Sequence, residues 1–161
     1  MKRIIVDGHN LVPKIPGMSL EDPNDESQLI QLLGEYCRLQ RVRAELFFDK
    51  APAGSTAQAR HGLVNVHHIR SRSTADAAIH LFLKKAGKQA RDYLVVSSDH
   101  QVQADSRALY ASVISSEEFS ANLVTVFSQS RASSPHSEKY PAADEVDYWL
   151  SKMNENRRKT D

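Results

Sequence analysis

The chain has 161 residues, and its 21 basic and 20 acidic side chains leave a formal net charge of +1. This balance gives no reason to class the whole protein as a polyanion binder, so a nucleic-acid surface would have to come from local clustering. The single cysteine, Cys37, excludes an intrachain disulfide and a cysteine zinc site. No apolar run reaches the length of a membrane span and no apolar leader is visible, so we expect a single-domain cytoplasmic protein without a membrane partner.

The first predicted strand, Ile4-Ile5-Val6, runs directly into Asp7-Gly8-His9-Asn10. A continuous run of β-branched apolar residues is typical of a strand covered on both faces, as at the centre of a parallel sheet. Ligands bind at the carboxyl end of such strands, so we expect Asp7 to stand at the mouth of a site, with Asn10 orienting its neighbours. The turn-rich segment from Val12 to Asp25 is interpreted as a loop over that mouth.

The rest of the chain alternates helical and extended patterns. Further strands are predicted at 44–48, 63–69, 93–96 and 112–114, and helices at about 25–40, 75–87, 99–109, 116–127 and 142–154. This order predicts a three-layer α/β fold with a central, mostly parallel sheet of about five strands. We expect residues 1–128 to form the domain, and residues 129–161 to be a serine-rich linker and a helix that packs back onto it.

Four aspartates are expected at one edge of this sheet. Asp7, Asp49 and Asp99 each follow a strand, and Asp76 lies in the first turn of a helix that Thr74 is expected to cap. Like charges this close are unfavourable without a cation, and oxygen ligands suit Mg²⁺ or Mn²⁺. Such an ion can activate water and stabilise a transferring phosphoryl group, which favours phosphodiester hydrolysis. Asp49 is also interpreted as half of an ordinary surface pair with Lys50, and that alternative stays open.

A basic run flanks the third strand and leads towards Asp76; its members are Arg60, His61, His67, His68, Arg70 and Arg72. Arg70 and Arg72, with Lys50 and His9 nearer the strand ends, are candidates for contacts to RNA phosphates, and a merely solvated edge is the alternative. Ser98, like Asn10 and Thr74, is expected to support the aspartates.

These motifs resemble the NYN family of PIN-like nucleases, most closely its YacP-like branch. The similarity is carried by four segments in order, namely 5–10 (IVDGHN), 47–49 (FFD), 73–76 (STAD) and 96–99 (VSSD). It implies a PIN-like fold and metal-dependent RNA cleavage, with Asp7, Asp76 and Asp99 as catalytic residues and metal ligands. The branch includes an endoribonuclease that acts on messenger RNA at the ribosome, so RNA and possible ribosome association are the implied partners.

Two positions depart from the branch. YacP-like proteins often have an aromatic residue where this chain has His9, and an acid where it has Ala77. A non-catalytic RNA- or ribosome-binding protein with a vestigial acid cluster is therefore the alternative. A small-molecule phosphatase is weaker, because the first strand lacks the Asp-x-Asp pair of an aspartyl-phosphate mechanism.

Overall fold

The computed structural model describes residues 2–51, 54, 56–70, 72–133 and 148–153. Its strands are β1 (Arg3–Asp7), β2 (Arg43–Ala51), β3 (Gln58–His61), β4 (Val64–Arg70), β5 (Tyr93–Val96) and β6 (Ser112–Ile114). They form one sheet in the order β3-β4-β2-β1-β5-β6, in which every neighbouring pair is parallel except β3 and β4. The predicted α/β class with a mostly parallel sheet is confirmed.

Helices cover both faces of the sheet. They are α1 (Gly8–Leu11), α2 (Asp25–Gln40), α3 (Ala75–Ala86), α4 (His100–Ala108), α5 (Ser116–Ser133) and α6 (148–153), with 3-10 turns at Val12–Lys14 and Gly87–Asp92. None of the described helices is long and apolar enough to cross a membrane.

Successive side chains of β1 point to opposite faces of the sheet, and the hydrophobic core accordingly consists of two clusters, one on each face. Ile4 and Val6 of β1 point into a cluster that also holds Leu32 of α2, Phe119 of α5 and Trp149 of α6. Ile5 points the other way, into a cluster with residues of α3 and α4. Strand β1 is thus buried on both faces, as its unbroken apolar run predicts.

Several predicted boundaries need correction. A sixth strand, β3, forms a hairpin with β4, although its sequence Gln-Ala-Arg-His shows no apolar alternation. The segment after β1 is not all loop, because it begins with α1 and a 3-10 turn. Helix α5 continues through Ser133, into the stretch interpreted as a linker from residue 129, and residues 134–147 lie outside the described part.

Strand β2 also differs from its prediction. It does not end before Asp49 but continues to Ala51, because β4 goes on pairing with it as far as Arg70. The register shifts after Phe48, so Asp49 and Lys50 occupy an irregularity of the ladder. Lys50 has a φ of 55°, a left-handed conformation that is uncommon for a residue with a side chain.

Candidate active site

Asp7 lies at the carboxyl end of the central strand and is only 9% exposed. Its Oδ2 accepts a hydrogen bond of 3.3 Å from the Ser97 hydroxyl. The pKa of Asp7 is raised from 3.8 to about 6, mainly by burial and then by the charges of Asp49 and Asp99, while hydrogen bonds from Ser97 and the Asn10 amide oppose the shift. A buried carboxylate that two others destabilise is a position where a cation would be favourable.

Gly8 allows β1 and β2 to approach closely where the chain leaves the strand. A Cβ on Gly8 would overlap the ring of Phe48 and stand 3.0 Å from the Phe47 carbonyl oxygen. The need for glycine is therefore a matter of space, and it brings the Asp7 and Asp49 backbones together.

Asn10 joins two elements behind the site. Its Oδ1 accepts hydrogen bonds from the Ser98 amide, at 2.8 Å, and from the Ser116 hydroxyl, at 2.7 Å. These bonds connect the end of β5 to the start of α5, an arrangement that suits the orienting role predicted for Asn10.

Asp99 and its two serine neighbours connect β5 to the following helices. The Asp99 carboxylate caps α4 by accepting from the Gln101 amide, at 2.8 Å, and the Val102 amide, at 3.2 Å. Ser97 was not singled out among the supporting residues, yet its hydroxyl contacts both Asp7 and the Asp99 amide.

The Ser98 side chain is directed away from Asp7 towards α5. Its hydroxyl donates to Glu117 and accepts from the Ser116 amide at 2.9 Å. The hydrogen bond from Ser98, followed by those from the Glu117 backbone amide and from Lys14, lowers the pKa of Glu117 to about 2. Ser98 therefore stabilises the start of α5 and supports the aspartates only indirectly.

Asp76 lies in the first turn of α3, where the Thr74 hydroxyl caps the helix by accepting from the Ala77 amide at 3.1 Å. Burial raises the pKa of Asp76, and the charges of Asp105 and Asp99 raise it further, while His80 lowers it. Asp105 of α4 is thus an acid of this edge that sequence reasoning missed. It lies mid-helix, where nothing in the pattern separates it from a solvated residue.

A cleft of about 440 Å³ opens beside Asp7. Its lining comprises Asp7, His9, Asn10, Leu20, Asp25, Asp49 and Lys50. Asp76 and Asp99 do not line it, so the structure divides the predicted acids into a cleft group around Asp7 and a flanking group around Asp76, coupled through Asp99.

The cleft contains one acid that the sequence did not identify as a site residue. Asp25 is 8% exposed and begins α2, and its Oδ1 accepts from the Glu26 amide at 2.8 Å. In the sequence, Asp25 marked only the end of the predicted loop and the start of the helix at about 25–40. Its place in the cleft depends on how α2 packs across the sheet, and no local pattern reports that packing.

A chain of contacts in which histidine and carboxylate side chains alternate begins at Asp49 in the cleft and leads out of it to His68. His9 Nδ1 lies 2.7 Å from Asp49 Oδ1, and His9 Nε2 lies 3.5 Å from Glu26 Oε1. His68 Nε2 lies 3.3 Å from the other oxygen of Glu26. His9 is therefore a partner of Asp49 within the acid cluster, and Asp49 pairs with His9 where the sequence offered Lys50.

The basic run of the sequence is split by strand alternation. His67 stacks on Phe47 beneath α3, with ring centroids 4.4 Å apart, whereas His68 lies on the opposite face. Arg70 ends β4 at the carboxyl edge and is exposed, as is Arg72. The run is therefore not one surface, and only its last arginines lie near the acids.

The donor set fits a hard divalent ion in chemistry, because its members are carboxylates and their charges oppose ionisation of the buried Asp7. As placed, however, the described residues contain no group of three His, Cys, Asp or Glu side chains close enough to hold a metal ion. Asp49 is paired with His9, and Asp99 caps its helix. Binding an ion would therefore require these side chains to reorient.

Parallel strands that end on carboxylates, between two helical layers, define an α/β domain of the kind that binds ligands at its carboxyl edge. The YacP-like NYN domain model matches residues 4–159, and the chain belongs to that family. It is similar in structure to Rae1 (YacP) from Bacillus subtilis, at 23% identity and a TM-score of 0.71, over 99% of this chain and 95% of that one. The W164L mutant of that protein gives a TM-score of 0.68 at 23% identity, over 91% and 90% of the two chains. No curated protein matched the chain.

Proposed function

We propose that this protein is a divalent-metal-dependent endoribonuclease that hydrolyses RNA phosphodiester bonds at the carboxyl edge of its sheet. The observation that carries the proposal is Asp7, a buried carboxylate whose pKa is raised to about 6 by burial and by neighbouring aspartates. Such a group is costly to the fold and is typical of a functional site. Membership of the YacP-like NYN family supports the same reaction class.

Asp7, Asp76 and Asp99 would hold Mg²⁺ or Mn²⁺, with Asp49 in support. When bound, the ion would supply a Lewis acid for the phosphoryl group and lower the pKa of water. Neighbouring residues of the chain would hold the aspartates in position. Asn10 fixes the ends that carry these acids, and Ser97 contacts Asp7 and the Asp99 backbone together.

Lys50 lines the cleft and offers a cation to an RNA phosphate beside the acids. Arg70 and Arg72 are proposed to extend that contact along the same edge, because both are exposed near the end of β4.

A labelled, unstructured RNA incubated with Mn²⁺ should be cut by the wild-type protein and left intact in chelator. Asp7→Asn, Asp76→Asn and Asp99→Asn should each reduce cleavage by at least about 100-fold, and combined substitutions should not add, because residues that act as one unit lose the same activity once. Glu118→Gln, which removes one exposed charge from α5, is the matched control and should cleave normally. An Asp variant that is folded and fully active would remove that residue from the site.

The alternative is an RNA- or ribosome-binding protein that does not cleave. It is favoured by Ala77, where related sequences often have an acid, and by the engagement of Asp49 with His9. RNA binding in Mn²⁺ without any cleavage, by a protein whose melting temperature does not respond to the ion, would establish this alternative.

We further propose that the RNA is messenger RNA engaged by the ribosome and that the protein acts in the cytoplasm. Sedimentation of cell extracts should then show the protein with ribosomes. A protein found only at the top of the gradient would limit the proposal to free RNA.

A further inference from the structure

Cations collect at the edge of the sheet opposite the acidic cleft, where the parallel strands begin. Arg3 of β1 and Arg43 of β2 are direct partners in the parallel register, and the Arg43 amide donates to the Lys2 carbonyl at 3.3 Å. Ile4 and Ala44, the next residues, both enter the core cluster on the α2 side, so Arg3 and Arg43 emerge together on the other face. All three cationic residues are exposed.

The 3-10 turn Gly87–Asp92 brings two more cations to this edge. It connects the end of α3 to Tyr93, which pairs with Arg3 in the register of β1 and β5. Arg3 Nη1 donates to the Tyr93 hydroxyl at 3.0 Å. Lys88 and Arg91 of the turn are both exposed.

An exposed tyrosine stands beside these cations. Tyr110, in the turn between α4 and β6, is 73% exposed, and the Arg91 guanidinium carbon lies 5.8 Å from its ring centroid. Its φ of 71° is a left-handed conformation that L side chains rarely adopt. Tyr110 is the left-handed residue that ends α4, where the Ala111 amide donates to the Ser106 carbonyl at 3.1 Å, and this helix end holds its ring in solvent within reach of a cation.

The positive charges of this edge are not neutralised by ion pairs within the described part of the molecule. There, none of Lys2, Arg3, Arg43, Lys88 and Arg91 forms an ion pair. Glu45 and Asp92 both act on Arg3, but neither forms an ion pair with it, and Glu45 is already bonded to Asn65 at 2.9 Å and lies 2.5 Å from His67. Among the described residues, cations without an ion-pair partner thus stand at the edge where the strands begin.

We propose that this amino-terminal edge is an RNA-binding surface separate from the acidic cleft, in which Arg3, Arg43, Lys88 and Arg91 contact phosphates and Tyr110 stacks on an unpaired base. Guanidinium groups match the geometry of phosphates, and an exposed aromatic ring next to an arginine can stack on a nucleic-acid base. An acidic peptide would offer negative charges but no base, so RNA fits this surface better. This surface would hold a stretch of RNA other than the one that enters the acidic cleft, because the two lie at opposite ends of the strands.

The test is fluorescence anisotropy of a labelled 20-nucleotide unstructured RNA, measured in chelator over a range of salt concentrations so that no cleavage occurs. Arg43→Gln with Arg91→Gln is compared with Lys14→Gln and Lys152→Gln, a double variant with the same change in net charge near the opposite edge. The first pair should weaken binding and reduce the salt slope by about 1.4, since each lost contact to a single strand removes about 0.7. The second pair should leave the slope unchanged.

Tyr110→Ala and Tyr110→Phe separate stacking from folding. The alanine variant should bind about 5-fold or more weakly, because stacking on one base contributes roughly 1–3 kcal/mol. The phenylalanine variant should bind normally. The proposal is overturned if both charge variants weaken binding equally, if Tyr110→Ala binds like the wild type, or if the wild-type protein shows no RNA binding.

Discussion

Asp7 is the residue of the site whose negative charge is most disfavoured in the folded protein. Burial at the end of β1 disfavours its charge, and Asp49 and Asp99 disfavour it further, while hydrogen bonds from the Ser97 hydroxyl, at 3.3 Å, and the Asn10 amide offset only part of this cost. A pKa displaced from 3.8 to about 6 corresponds to at most about 3 kcal/mol of lost stability at neutral pH. The fold retains a residue that weakens it, as functional sites often do.

The pH dependence of stability follows from the direction of that shift. Because the folded pKa of Asp7 is raised, the stabilisation from its protonated form is complete below about pH 4 and is lost as the pH rises through about 6. In chelator, Asp7→Asn should therefore melt at a higher temperature than the wild type at pH 7.5, and the difference should shrink towards pH 5. Thermal melts at both pH values measure this. A wild type that is more stable than Asp7→Asn at both would mean that Asp7 is structural.

The residues near Asp7 show what a sequence can and cannot predict. The positions of Asp7, Asp76 and Asp99 were predictable because each lies directly at the end of a strand or the start of a helix, where local pattern fixes position, whereas their roles stay a prediction. Asp25 and Asp105 were missed because their contribution depends on how α2 and α4 pack, and packing leaves no local signature.

The helices and strands were predictable from the sequence where a single hydrophobic pattern dominates a segment. The unbroken apolar run of β1 gave both its burial and its central place, and Thr74 with Asp76 marked the start of α3. Strand β3 was missed because it is an exposed edge strand, held by backbone pairing to β4 and without an apolar face. The β2 irregularity was missed for a similar reason, since pairing with β4 carries Lys50 into a conformation that its side chain disfavours.

The cap of α3 offers a test at this scale. Thr74→Ala removes the acceptor for the Ala77 amide and should destabilise the protein by about 1 kcal/mol. Thr74→Ser keeps the hydroxyl and should cost much less. Chemical denaturation of the three proteins measures the difference. If both variants lost the same free energy of unfolding, the methyl group of Thr74, and not its hydrogen bond, would be what stabilises α3.

At the scale of the whole molecule, charge is separated along the strand direction. A net charge of +1 hides an acidic edge and a basic edge, because the two cancel in the sum. The sequence showed the acids as strand-end residues but not the cations, since Arg3, Arg43 and Arg91 are far apart in the chain and meet only through strand register and the turn before β5. Composition could not reveal this polarity, which only topology creates.

The central claim is that the acids at the carboxyl edge form one cation site, and the most direct test is the melting temperature with and without Mn²⁺. An ion at about 100 times its dissociation constant stabilises the folded state by about 2.7 kcal/mol, which is roughly 5–10 °C for a domain of this size. The wild-type protein and the control Glu118→Gln should show this rise, whereas Asp7→Asn, despite its higher melting temperature in chelator, should not. A wild type that does not respond to Mn²⁺, or an Asp7→Asn variant that responds equally, would contradict the claim.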